Sequence, residues 1–463
     1  MNEKAAASPS AAPSVSQLFD RAVTLQRETK LDEAERLYLQ FLRRAPDYPH
    51  AWTNLGALLR SRGIYPQSIA AHRRALRLSP GLGSARRNLA NALADHGCFE
   101  EAERRRREPH EAEPDDLAIL HNLCAALRGL GRDDEVIALI DSAEARLPDL
   151  GECLLRRALS HLMKGNHRQG FADYEIRHAG NEVNLQKNAP WPRWSGEDLR
   201  GRSVLVLPEQ GFGDEILASR FLPGLKVLGA EVTMLVKPPL RRLLADLEGL
   251  YQMIETALQS QRFDFYTPNM SLPNLVGLPG GRPPPLPRLA IPDDSRSRAR
   301  ALVAPFASRF RIGVVWTGSV TYRANNRRST GPESFLGLAS APWVQLFSLY
   351  KGLTHEAFLK SGMAGLIVDA CGDDRDFADS AALIDQMDLM IITYTAVVHV
   401  AASLGKPVWN LLSREGYWLY GKGEITPWYP SMRLFRQAAQ GDWPELFGRV
   451  EAALHTRLEA RKT

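Results

Sequence analysis

Residues 204–222 read VLVLPEQGFGDEILASRFL, and the rest of the chain can be organised around this stretch. The apolar run 204–208 predicts a strand that is buried on both faces. A glycine-rich turn, 209–214, follows it, and the apolar residues after the turn have helical spacing. Such a strand, turn and helix are typical of a nucleotide-binding α/β domain, which binds ligands at the carboxyl ends of its strands. Asp214 is therefore expected at a cleft, either as a helix N-cap or with its carboxylate in the cleft.

Length and composition are those of a globular protein of about three domains. The 463 residues are 44% apolar and 24% charged, and the net charge is only +5. Such a small excess does not predict nucleic-acid binding, although it suits a small anionic ligand. No window reaches the about 18 apolar residues of a membrane span, and the amino terminus lacks the apolar segment of a signal peptide. We therefore expect a cytoplasmic protein with a disordered leader over residues 1–14.

The four cysteines lie far apart and form no CxxC pair. Neither a zinc site nor a disulfide framework is therefore expected.

A period of 34 residues runs through the first part of the chain. It separates Pro46, Pro80, Pro114 and Pro148, and likewise Asn54, Asn88 and Asn122. The pattern resembles the tetratricopeptide repeat, whose motif positions are matched by Trp52, Leu55, Gly56, Ser68, Ala75 and Pro80. We predict four and a half helical hairpins over residues 15–180, stacked as an α-solenoid. Such a tetratricopeptide superhelix usually holds a protein or peptide on its concave surface.

Short apolar strands alternate with helical patterns in the rest of the chain, which predicts parallel sheets. In a first half, residues 181–294, the predicted strands are 204–207, 232–236 and 263–266. In a second half, residues 295–463, they are 312–316, 344–348, 366–368, 389–392 and 408–411, followed by a carboxyl-terminal helix over 442–458. Six prolines within 278–294 predict the linker between the halves.

Two loops of the second half carry candidate ligand contacts. After the strand 312–316 come Thr317, Gly318 and Arg328, and this guanidinium can neutralise a leaving diphosphate. After the strand 389–392, residues 395–399 (TAVVH) open a helix, whose amides and dipole stabilise a diphosphate. Thr395 can cap this helix, Ala396 follows it, and His399 lies on the same face as Thr395. A core histidine is the alternative for His399.

Further candidates are less specific. Lys351 follows the strand 344–348 as a second phosphate contact, with a solvent-exposed lysine as the alternative. The segment 413–428 contains Tyr417, Trp418, Tyr420 and Trp428, which fit either an aromatic wall for base or sugar or core packing. Asp373 and Asp374 follow a glycine in an expected surface turn, and no DxD-like metal site is in the right place. Metal-independent chemistry is therefore predicted.

Four segments carry a wider resemblance: 208–240 (PEQGFGDEILASRFLPGLKVLGAEVTMLVKPPL), 311–329 (RIGVVWTGSVTYRANNRRS), 395–409 (TAVVHVAASLGKPVW) and 428–437 (WYPSMRLFRQ). They resemble bacterial proteins that join tetratricopeptide repeats to a domain similar to ADP-heptose:lipopolysaccharide heptosyltransferases. The plan is also similar to protein O-GlcNAc transferases and to bacterial flagellin glycosyltransferases.

This resemblance implies a GT-B fold, in which two Rossmann-like halves face each other across a cleft. It implies inverting transfer of a sugar from a nucleotide sugar, with Asp214 as the general base and no cofactor or metal. The turn residues Gln210, Gly211, Phe212 and Gly213 would lie on the acceptor side. The 317–328 loop, Lys351 and the 395–399 loop would bind the donor.

One departure from the family pattern concerns the donor loop. Family members usually have an aspartate before the Thr-Ala pair, and this chain has Tyr394. Either the donor differs from the usual sugar nucleotide or catalysis is weakened. Three hypotheses follow: transfer to a Ser or Thr hydroxyl of a protein held by the repeats, transfer to a glycan or lipid-linked saccharide, or an adaptor with a degenerate GT-B domain.

Overall fold

The computed structural model describes residues 14–178, 189–257, 260–319, 322 and 324–460. The leader expected at 1–14 therefore lies outside the described residues, apart from Ser14. The chain divides into two compact units, Met1–Ala126 and Leu127–Thr463. In the described ranges, every helix is too short or too polar to cross a bilayer.

Ten helices precede the first strand in the described part of the chain. They are α1 (Val15–Arg27), α2 (Leu31–Arg44), α3 (Pro49–Ser61), α4 (Tyr65–Leu78), α5 (Gly83–His96), α6 (Phe99–Ala112), α7 (Leu117–Gly129), α8 (Asp133–Glu144), α9 (Cys153–Met163) and α10 (His167–Tyr174). This is the predicted helical-repeat architecture.

The α3–α4 hairpin explains why the repeat motif needs a glycine. A Cβ atom at Gly56 would lie 2.6 Å from Cε1 of His72, which is fully buried in α4. The Ser68 hydroxyl donates to the Gly56 carbonyl at 2.6 Å across the same contact. The two helices can therefore approach closely only because position 56 has no side chain.

The segment predicted as a final half repeat, residues 152–178, forms the complete α9–α10 hairpin and a short 3₁₀ turn, Glu175–His178. It belongs to the second compact unit. Arg157 of α9 joins the two helices through a buried ion pair with Asp173, whose nitrogen–oxygen distance is 2.7 Å.

The first half contains a parallel sheet with strand order β3-β2-β1-β4. Its strands are β1 (Ser203–Leu207), β2 (Glu231–Leu235), β3 (Gln252–Ile254) and β4 (Phe265–Pro268). The central β1 pairs Leu205 with Thr233 on one side and with Tyr266 on the other. Because both edges of β1 are paired and its residues after Ser203 are buried, the apolar run is explained.

The helix predicted after the glycine turn is broken into α11 (Phe212–Ser219) and α12 (Leu222–Val227). Pro223 occupies the first turn of α12, where its missing N–H costs nothing. A short helix, α13 (Leu272–Leu275), follows β4. Residues 282–292, inside the predicted linker, contain neither helix nor strand.

The second half contains a six-stranded parallel sheet with order β10-β9-β8-β5-β6-β7. The strands are β5 (Phe310–Val315), β6 (Val344–Ser348), β7 (Ile367–Asp369), β8 (Leu389–Thr393), β9 (Val408–Leu412) and β10 (Met432–Arg436). The helices are α14 (Asp293–Val303), α15 (Asn325–Arg328), α16 (Leu336–Ala339), α17 (His355–Lys360), α18 (Phe377–Asp385), α19 (Ala396–Ser403) and α20 (Trp443–Glu459). This strand order is that of a doubly wound Rossmann fold.

The predicted fold class is confirmed in its architecture, an α-solenoid followed by two Rossmann-like α/β halves. All eight predicted strands are present, whereas β3 and β10 were not predicted. The expectation of a surface turn at Asp373 and Asp374 is wrong for Asp374, whose side chain is buried and accepts a hydrogen bond from the Ser380 hydroxyl at 2.8 Å. Burial raises the pKa of this carboxyl to about 6.

Candidate functional site

The order of the second sheet determines where a ligand site can form. The chain reverses direction of winding between β5 and β8, which are neighbours. At such a switch point the loops leaving adjacent strands diverge and open a crevice. Residues 316–319 leave β5 and residues 394–395 leave β8, so the described parts of both predicted donor loops lie at this edge of the sheet.

The sequence allows Asp214 to be the N-cap of the helix after the glycine turn. In the structure Asp214 is the third residue of α11 instead. Gly211 occupies the N-cap with extended backbone angles, φ −78° and ψ 173°. The Gly211 N–H donates to Oδ2 of Asp214 at 2.9 Å, so the carboxylate caps the helix from its first turn. Burial is the main cause that raises the pKa of Asp214 to about 6.

The glycine turn of the first half contacts the start of α19 in the second half. A Cβ atom at Gly213 would lie 2.7 Å from Cδ2 of His399 and 3.5 Å from Cα of Ala396. The structure therefore brings together Asp214 and the 395–399 loop, which are far apart in sequence. The absence of a side chain at Gly213 allows this approach.

His399 is a buried residue of α19 with a defined partner. Its Nδ1 lies 2.7 Å from the Tyr429 hydroxyl. Burial, with a smaller effect of the nearby Arg220 charge, lowers the pKa of His399 to about 3. The ring is therefore neutral at physiological pH, and it packs on the glycine turn.

Thr395 has the extended backbone of an N-cap, but its side chain makes no capping hydrogen bond. Its hydroxyl oxygen is buried, and no residue in the described part of the chain is its hydrogen-bond partner. The hydroxyl lies beside the amino terminus of α19. Such a combination can receive a ligand oxygen.

The buried Asn325 joins the two ends of the loop between Thr317 and Arg328. Its Nδ2 donates to the Thr317 hydroxyl at 3.0 Å, and its Oδ1 accepts from Nε of Arg328 at 3.0 Å. A Cβ atom at Gly318 would lie 2.5 Å from Nη2 of Arg328 and 3.2 Å from Cγ2 of Thr395. Thr317, Gly318, Arg328 and Thr395 thus form one cluster.

Tyr394, which precedes the Thr395–Ala396 pair, lies beside this cluster. Its ring stacks on Tyr417, with centroids 5.3 Å apart and planes at 24°. The Arg328 guanidinium lies between the rings of Tyr322 and Tyr394, at 4.5 Å and 4.8 Å from their centroids. It also donates to the Tyr394 carbonyl at 3.0 Å. The two ring contacts are favourable cation–π interactions, and together with the hydrogen bond they hold Arg328 in place.

Lys351 differs from the other predicted donor residues in its contacts. Its ammonium donates to the Asp374 carbonyl, and its side chain is exposed beyond β6.

The predicted aromatic wall divides into two parts. Trp418, Tyr420 and Trp428 are buried in the core, as the alternative interpretation required. Tyr417 is partly exposed, and its hydroxyl donates to Oδ1 of Asp214 at 3.5 Å. Of these four aromatic residues, Tyr417 is therefore the one that contacts Asp214.

Sequence reasoning missed the residues that hold the glycine turn. Arg177, from the 3₁₀ turn after α10, forms a bidentate buried ion pair with Glu209, at 3.0 Å and 2.9 Å. The Gln210 amide donates to the Tyr174 hydroxyl at 2.8 Å, and the Lys237 ammonium donates to the Gln210 carbonyl. No local pattern in the sequence signals these contacts, because they join residues of separate elements. In the ranges that the structure describes, no cluster of three or more His, Cys, Asp or Glu side chains is arranged to hold a metal ion.

Comparison with known proteins gives distant similarities. No protein-family model matches the chain. The chain is 26% identical to Protein FlbA of Caulobacter vibrioides over 468 residues, which covers 94% of this chain and 71% of that protein.

Among solved structures, a glycosyl transferase family 9 protein from Veillonella parvula has a TM-score of 0.41 at 11% identity, covering 52% of this chain and 88% of that one. MamA from Desulfovibrio magneticus has a TM-score of 0.33 at 16% identity, covering 36% and 97%. YrrB, a tetratricopeptide-repeat protein with an unusual peptide-binding site, has a TM-score of 0.31 at 15% identity, covering 36% and 87%.

Proposed function

We propose that this chain is an inverting glycosyltransferase that moves a sugar from a nucleotide sugar to a protein hydroxyl, with Asp214 as the general base. The observation that carries the proposal is the contact between the glycine turn and the start of α19. Gly213 lies against His399 and Ala396, so the turn that carries Asp214 lies against the amide-rich helix end. A base and an anion site must be neighbours for a displacement reaction at a sugar carbon.

In the proposed reaction, Oδ1 of Asp214 takes the proton of a Ser or Thr hydroxyl while that oxygen attacks the anomeric carbon. The bond between this carbon and the nucleoside diphosphate breaks on the opposite side, which inverts the configuration. The amino terminus of α19, the Thr395 hydroxyl and Arg328 stabilise the departing diphosphate. Because these groups supply positive charge and hydrogen bonds, we propose that no divalent ion is needed.

The helical repeats support a protein acceptor, because stacked helical hairpins have no chemistry of their own and usually bind polypeptides. Flagellin is the acceptor that the resemblance to flagellin glycosyltransferases favours. A glycan or lipid-linked saccharide is the alternative acceptor, in which case the repeats would serve assembly.

A second candidate function is an adaptor whose GT-B part transfers no sugar. The observation that favours it is the filled corner at Tyr394, where Arg328 is already engaged by two tyrosine rings and by the Tyr394 carbonyl. If these contacts persist with ligand present, the guanidinium is not available to a diphosphate.

The discriminating experiment is Asp214→Asn. Asparagine keeps an oxygen that accepts the Gly211 N–H but cannot take a proton, so we expect transfer to fall by about a hundredfold to ten-thousandfold. Binding of nucleotide sugars, measured by thermal shift across a panel of donors, should be retained. Glu231→Gln, at an exposed carboxylate that begins β2, is the matched control.

Intact-mass measurement of candidate proteins co-expressed with the chain identifies the acceptor. A mass increase of one glycosyl unit that disappears with Asp214→Asn supports transfer to protein. Full activity of Asp214→Asn rejects Asp214 as the base, and failure of all nucleotide sugars to bind favours the adaptor.

A further inference from the structure

Tyr417 contacts the carboxylate of Asp214, to which the hydroxyl of an acceptor would also have to donate. One carboxylate oxygen, Oδ2, is occupied by the Gly211 N–H inside α11. The other, Oδ1, receives the Tyr417 hydroxyl at 3.5 Å. The oxygen that remains for an acceptor hydroxyl is therefore the one beside Tyr417.

The position of Tyr417 is fixed by its own segment and by its neighbours. Gly416 has a φ of 70°, a left-handed conformation that turns the chain just before Tyr417. The Tyr417 ring packs on Tyr394, Trp418 and Tyr420, at centroid distances of 5.3 Å, 5.1 Å and 5.2 Å. Tyr417 and these three rings all belong to the second half. The contact of Tyr417 with Asp214 therefore joins the second half to the proposed base on the first half.

We infer that Tyr417 is a positioning residue for Asp214, which orients Oδ1 toward the acceptor and favours the charged form of the carboxylate. This inference rests on the proposed function for the catalytic meaning of that proton. Tyr394 supports this positioning because its ring stacks on Tyr417. It stands where the glycosyltransferases that the sequence resembles usually have an aspartate.

The other charged groups that face Asp214 shift its pKa in opposite directions. The Lys237 ammonium lowers the pKa of Asp214, and the Glu209 carboxylate raises it. Neutral His399 lies across Gly213. Three further phenols lie close enough to interact with the Asp214 charge: Tyr174, Tyr420 and Tyr429. Among these aromatic residues, Tyr417 is the one whose hydroxyl contacts the carboxylate.

The test is Tyr417→Phe in the full chain, with Tyr420→Phe as the control in the neighbouring ring. Carboxyl-carbon NMR of the aspartate-labelled protein, with the Asp214 signal assigned from Asp214→Asn, measures the pKa without any substrate. Loss of a hydrogen bond to the charged carboxylate should raise the pKa of Asp214 by about 0.5 pH units or more in Tyr417→Phe. Tyr420→Phe should leave it unchanged. Tyr394→Leu, which removes the stacked ring, should give part of the same rise.

The pH profile of transfer is the second readout. Wild-type transfer should fall as pH decreases through about 6, because protonated Asp214 cannot act as a base. This acid limb should move upward in Tyr417→Phe by the amount seen in NMR. An unchanged pKa in Tyr417→Phe, or an equal rise in Tyr420→Phe, would overturn the inference. Absence of any sugar transfer by the wild type would instead overturn the proposed function, while the NMR result would still decide whether Tyr417 holds the carboxylate.

Discussion

At the scale of single residues, Gly213 determines how closely the two halves of the α/β unit can meet. A methyl group there would lie 2.7 Å from the buried His399 ring, which is held by Tyr429. Real Cβ atoms do not approach other atoms so closely, so a methyl group would force a shift of the glycine turn or of the hydrogen-bonded ring. The position is therefore a steric requirement of the site, independent of any chemistry.

We expect Gly213→Ala to destabilise the second unit by about 1 kcal/mol or more, because the clash outweighs the gain in helix propensity. Gly211→Ala is the matched control. Its added Cβ would meet only Oδ2 of Asp214, at 3.4 Å, so only the weaker N-cap preference of alanine, about 0.5 kcal/mol, is lost. Chemical denaturation measures both. Equal losses in the two variants would show that His399 yields to the methyl group.

The residue types at the site could be predicted to a large extent, whereas their contacts could not. The GFGD turn and the TAVVH helix start each have a local signature, since glycine, a capping residue and a preceding apolar strand are adjacent in sequence. The stacking of Tyr394 on Tyr417 and the pairing of Arg177 with Glu209 have no such signature. They join residues that are brought together only when separate elements pack.

At the scale of secondary-structure elements, the same contrast separates the predicted strands from the missed ones. Buried strands such as β1 and β8 are continuous apolar runs. β3 has only three residues and lies at the edge of its sheet, and β10 is also an edge strand, with Arg433 exposed in its middle. Edge position alone does not explain this difference, because β4 and β7 are also edge strands and were predicted. The sequences of β3 (QMI) and β10 (MRLFR) form neither a continuous apolar run nor a strict alternation, so they lack the pattern that predicts a strand.

The last helical hairpin is the element whose role is best tested by mutation. Arg177 and Glu209 are both fully buried as side chains, so removing one charge leaves the other desolvated and unpaired. We expect Arg177→Met to cost about 3 kcal/mol of unfolding free energy, measured by chemical denaturation. The double variant Arg177→Met with Glu209→Gln should recover more than about 1 kcal/mol. A single variant as stable as the wild type would mean that water reaches Glu209.

At the scale of the α/β unit, the two halves are joined away from the candidate site by an ion-pair network. Arg242, after β2, bonds to Asp294 and Asp376, each at 3.2 Å, and to the Ser295 hydroxyl at 2.9 Å. Asp379, nearly fully buried, accepts from Arg375 and Arg298 in the same network. Networks that share partly buried carboxylates contribute more than isolated surface pairs.

Arg242→Gln should therefore loosen the junction between the halves. We expect a lower Tm, with the difference from wild type shrinking at high salt, and faster hydrogen exchange at the start of α18. Arg200→Gln is the control, because Arg200 pairs with Asp198 on the surface, where both side chains are mostly exposed. A decrease in Tm that is the same in both variants would remove the special role of Arg242.

The attachment of α9 and α10 to the glycine turn also constrains how such a chain could exchange its helical repeats during evolution. Recombination after residue 152 would separate Tyr174 and Arg177 from the turn that they hold. A crossover between earlier hairpins would leave those contacts intact and attach foreign hairpins to an unaltered glycine turn. Sequence diversification should therefore concentrate in the earlier repeats, with the final hairpin inherited together with the sheets.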